Sequence, residues 1–109
     1  MAYDVELAER IREHLFGEPV TEKKMFGGLA FLLGGNMSVA ASGQGGLLVR
    51  VDPAATGDLL REPGAQEFEM RGRAMTGWLR VDADALDDDA ALRVWVDRGV
   101  SYAGSLPAK

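Results

Sequence analysis

The stretch KKMFGGLAFLLGGNM, residues 23–37, holds eight apolar residues and four glycines but no histidine, cysteine, serine or carboxylate. Such a composition builds scaffold rather than a reaction centre. Glycine and asparagine reach the positive φ values of tight primed turns, so the paired glycines read as hairpin turns on either side of a poorly exposed strand. Working outward, strands are expected over residues 21–26, 29–33, 37–41 and 47–51, separated by GG, GGN and SGQGG.

Upstream, Val5, Ala8, Ile11 and Leu15 recur at three- and four-residue spacing among charged residues, which predicts an amphipathic helix over 4–16. Asp4 can cap it, Gly17 suits the left-handed position past its end, and Pro19 blocks continuation. Downstream, Asp52-Pro53 starts a short helix over 53–61, ended by Pro63-Gly64. QEFEM (66–70) and TGWLRVD (76–82) read as two further strands linked by RGRAM. In 87–106, Leu92, Trp95, Val96, Val100, Ala103 and Leu106 share one helical stripe behind the acidic cluster Asp87, Asp88 and Asp89. Gly99 and Gly104 weaken this helix, so close packing or fraying is expected there. The order α-β-β-β-β-α-β-β-α predicts an α+β fold, a two-layer sandwich of antiparallel sheet and helices.

A chain of 109 residues suits one domain, expected over 1–109, which buries about 60–65% of its unfolded surface. The longest apolar run falls far short of the roughly 20 residues that span a bilayer, so no membrane association is expected. The acidic N-terminus lacks the pattern of a signal peptide, and a cytoplasmic location is the expectation. Absence of cysteine agrees with that and removes thiol catalysis and Cys-ligated zinc. A net charge of -5 opposes nucleic acid unless a basic patch overcomes it.

Four motifs, in order, carry a resemblance: KKMFGGLAFLLGGNMSVA (23–40), LLVRVDP (47–53), GRAMTGWLRVD (72–82) and WVDRGVSYAGSLP (95–107). Together they resemble the N-terminal domain of the TfoX/Sxy family of bacterial competence regulators. The resemblance implies a secretion-chaperone-like two-layer fold and no known catalytic activity. Competence regulators of this family carry a second, C-terminal domain, for which a chain ending at Lys109 leaves no room, so the competence role is not carried over. It implies an uncharacterised regulatory or interaction module.

Catalytic, cofactor and metal sites are all expected to be absent. His14, the one histidine, reads as a helix-flank residue, because a metal site needs partners of defined spacing. Ser38, Ser42, Ser101 and Ser105 lie in no nucleophile elbow. The carboxylates of 82–89 lack the glycine and glutamate of a calcium loop and read as helix caps. ASGQGGLLV lacks the lysine of a phosphate-binding loop and reads as a hairpin turn, and the five methionines read as core filling.

One group remains. Lys23, Lys24, Arg50, Arg71, Arg73 and Arg80 all fall in or beside the strands, with Phe26 and Trp78 available for stacking, whereas acidic residues concentrate on the first and last helices. Strand alternation sets Trp78 and Arg80 on one face and Leu79 and Val81 on the other. These cations read either as solvated strand residues and edge guards or as a surface for a protein partner; a homodimer through the sheet is an open alternative. The rival reading is a nucleic-acid-binding module on the same basic sheet face.

Overall fold

A computed structural model describes residues 3–25, 27–43, 45–70 and 72–108, the side chain of Met70 excepted. The elements are α1 (Val5–His14), β1 (Val20–Met25), β2 (Gly28–Leu33), β3 (Asn36–Ala41), β4 (Leu47–Arg50), α2 (Thr56–Leu59), β5 (Ala65–Met70), β6 (Arg73–Val81) and α3 (Asp89–Ser105). Short 3-10 turns precede α2 and α3. All strands pair antiparallel in one sheet of order β1-β2-β3-β4-β6-β5, so the expected α+β class and element order hold.

The glycine pairs turn the chain where the sequence places them. Leu33 pairs with Asn36 across Gly34 and Gly35, whose φ values of 60° and 84° are those of a two-residue primed turn. Gly28 does more than turn. A Cβ there would run into the Ala41 carbonyl, so it is the absence of a side chain that lets β2 lie against the end of β3.

Between Phe31 and Leu32 the register slips: Phe31 faces Val39, Leu32 faces Met37, and Ser38 is the extra residue of a β-bulge. Its buried hydroxyl donates to the Phe31 carbonyl at 2.8 Å, giving the disrupted ladder a partner.

One face of the sheet carries the main core. Leu29, Phe31, Val39, Ala41, Leu47, Val49, Leu79 and Val81 meet Leu7, Ala8, Ile11 and Leu15 of α1 and its C-terminal turn, and Leu92, Trp95 and Val96 of α3. Gly99 is buried as well, with its backbone pressed onto β3. Asp4, Asp52 and Asp88 each accept a backbone N–H at the start of their helical turns.

Three expectations need correction. Val5 is 62% exposed and Leu7 takes its place in the core. At about 100° per residue, Leu7, Ala8, Ile11 and Leu15 share an arc of roughly 100°, and Val5 falls outside it. RGRAM is not a linker either: β6 begins at Arg73, so strand covers most of it. Val100 and Leu106 are half-buried rather than central to the helix stripe.

Candidate sheet-face interaction site

No helix among the described residues lies on the second face of the sheet. Alternation puts Ala30, Ala40 and Leu48 there, and the bulge at Ser38 turns Met37 onto the same side. These four form a small second core, with Met25, Leu32, Phe68 and Trp78 half-buried around them. Solvent barely reaches Ala30, Ala40, Met37 and Leu48, so what this face presents is the upper surface of those surrounding side chains.

Cations stand among them. The register runs Lys23, Ala30, Ala40, Leu48, Arg80, Gln66 across the strands, placing Lys23 and Arg80 on this face. Four strand spacings separate the two, about 19 Å. Arg80 donates to the Gly45 carbonyl at 3.0 Å. Arg50 pairs with Trp78 across β4 and β6, and its guanidinium lies 5.2 Å from the Trp78 ring centre and 5.8 Å from that of Tyr102.

Trp78 and Arg80 thus share one face while Leu79 and Val81 enter the core, as alternation requires. Lys24 does not join the group: it faces Leu29, on the helix side, and is exposed. Arg73 is exposed at the start of β6, beside the β5–β6 turn. Phe26 and Arg71 lie outside the described residues. Among the described residues these cations do not converge on one phosphate-sized point; the charges are spread around an apolar centre.

Missed by reasoning from charge were Met25, Leu32, Met37, Leu48 and Phe68. A signal for Leu32 and Met37 existed. GLAFLL is apolar without alternation and NMSVAA does not alternate strictly either, the pattern of strands with apolar side chains on both faces.

The remaining candidates are tied up in structure. His14 Nε2 lies 3.2 Å from Asp89 Oδ1, and Arg10 donates to the Leu86 carbonyl and to Asp89, so α1 clamps the start of α3. Partial desolvation pushes the Asp89 carboxyl up, but hydrogen bonds and charge from His14 and Arg10 outweigh it and hold Asp89 below the usual range. Asp82 accepts from Gln66 at 2.8 Å and Asp88 caps α3; neither belongs to a calcium loop. Ser42 and Gly46 close the β3–β4 turn through their backbones. Met37 fills core and Met25 packs against it, whereas Met75 is 38% exposed. Among the described residues, no three His, Asp or Glu side chains come together to hold a metal ion. An open groove of about 660 Å³ runs between α3 and residues 51–59, lined by Leu59, Val94, Arg98 and Tyr102 among others. None of the described helices is long and apolar enough to cross a membrane.

Residues 13–103 match the family model described as the TfoX N-terminal domain, a span that takes in all six strands and most of α3. No curated protein matches the chain. With the match covering most of its length, this chain belongs to the TfoX N-terminal domain family.

Proposed function

We propose that this chain is a non-enzymatic regulatory or protein-interaction domain whose contact surface is the helix-free face of the sheet. One observation carries the reading: the helices cover only one side, leaving Met25, Leu32, Phe68 and Trp78 half-exposed on the other, among cations. Apolar side chains grouped on a surface are one of the features that mark protein contact sites.

Nucleic acid is the second reading, favoured by Lys23, Arg50, Arg80 and Trp78 sharing that face. Two features weigh against it. Arg50 already covers the Trp78 ring on which a base would stack, and the overall charge is -5.

Capture from lysate of the native host, with nuclease treatment, tests the reading by comparing two variants. Met25→Asp alters the face, whereas Val94→Asp alters the exposed side of α3. A partner retained by Val94→Asp and lost by Met25→Asp, at matched melting temperatures, supports the proposal. Loss through Val94→Asp alone moves the surface to the helices, and retention of nucleic acid only favours the second reading.

A further inference from the structure

Resting on the reading of this face as a contact surface, we infer that the partner presents an acidic amphipathic helix. Three features of the face point to it: its charge, its apolar pattern and its width.

Among the described residues, the strand positions facing this way carry Lys23, Arg50 and Arg80 but no carboxylate, and Asp82, just past β6, is held by Gln66. A second copy docking the same face to itself would set these cations against their own counterparts. Like charges brought together across an interface cost affinity, so the complementary partner is acidic.

Apolar side chains stand on both sides of the floor of Ala30, Ala40, Met37 and Leu48, Met25 on β1 and Trp78 on β6. The floor is closed to solvent, so an occupant rests on these flanking groups. A single apolar stripe fits between them.

The span from Lys23 to Arg80, about 19 Å, exceeds the roughly 10 Å diameter of a helix. A helix lying between the two would reach them with acidic side chains from either flank of its stripe. An extended strand is narrower and places alternate side chains away from the face.

Synthetic peptides test this on the full chain. The probes are an 18-residue amphipathic helix with a Leu/Ala stripe and Glu flanks, the same helix with Lys flanks, a scrambled version of the Glu peptide, and a single-stranded oligonucleotide. Binding is read from the Trp78 indole signal by NMR, with the Trp95 indole as internal reference and sedimentation as the measure of self-association.

The Glu helix is expected to move Trp78 and leave Trp95 in place, and to bind about tenfold more tightly than the Lys helix, with Lys23→Glu cutting that preference several-fold. Equal binding of the Glu and Lys helices, or of the scrambled peptide, overturns the inference. Self-association that shifts Trp78 also overturns it, replacing the acidic partner with a second copy while leaving the face a protein-contact surface. Oligonucleotide binding at Trp78 with steep salt dependence overturns the inference and the protein-contact reading together. If no probe moves Trp78 at millimolar concentration, the acidic helix is excluded, and lysate capture by the Met25 and Val94 variants decides the contact reading separately.

Discussion

Gly99 in the middle of α3 lies so close to Ser38 of β3 that a Cβ on the glycine would stand 2.5 Å from the Ser38 carbonyl oxygen and 2.7 Å from a Val39 methyl. The helix reaches the sheet at this point because it has no side chain there. In an open helix, alanine for glycine would gain about 1 kcal/mol. Here overpacking wins, and Gly99→Ala is expected to lower stability by about 1–3 kcal/mol in urea unfolding. Gly104→Ala is the control: its nearest neighbour is the end of the Leu33 side chain at 3.3 Å, which can move aside. That variant should be neutral or slightly more stable.

Trp95, 4% exposed, packs in the main core while Arg98 lies over its ring at 4.6 Å. Truncation to alanine should cost about 3–5 kcal/mol, measurable as a lower urea midpoint. Ser38→Ala should cost about 1 kcal/mol through the lost bond to Phe31, without changing the sheet register.

Acid should weaken the fold through two carboxylates. Hydrogen bonds from Arg12 hold Glu22 below the usual range against a smaller opposing desolvation, and Asp89 is likewise lowered in the balance described above. A folded-state value below the unfolded one means that the unfolded chain takes up protons first. The stability these groups contribute is therefore present above their ordinary values of about 4 and is lost as pH falls through the lowered folded ones. Thermal melts from pH 6 to pH 2 should show this decline, and Glu22→Gln with Asp89→Asn should flatten it. An unchanged slope in the double variant would remove both pairs from the account.

How much of this was legible beforehand depends on which physical signal each part left. The hairpins were, because Gly34-Gly35 has few alternatives to a primed turn, and so were the caps at Asp4, Asp52 and Asp88. Leu7 was not, since spacing counted from Val5 rotates the stripe away from the true contact. The Ser38 bulge left no local mark, yet it decides that Met37 joins the core of the second face. Charge drew attention to Lys23, Lys24 and Arg80 as one group, but register, which follows from pairing rather than composition, sends Lys24 to the other side. Apolar residues of the second face were hidden in strands that read as simply buried.

The chain has two tryptophans, and they lie in different layers: Trp78 at the second face and Trp95 in the helix-side core. The most direct test is therefore to follow both indole signals by NMR as the partner captured from the native host is added. The account predicts that Trp78 shifts with saturation while Trp95 stays fixed. Movement of Trp95 with Trp78 unmoved would contradict it and place the contact on the helices.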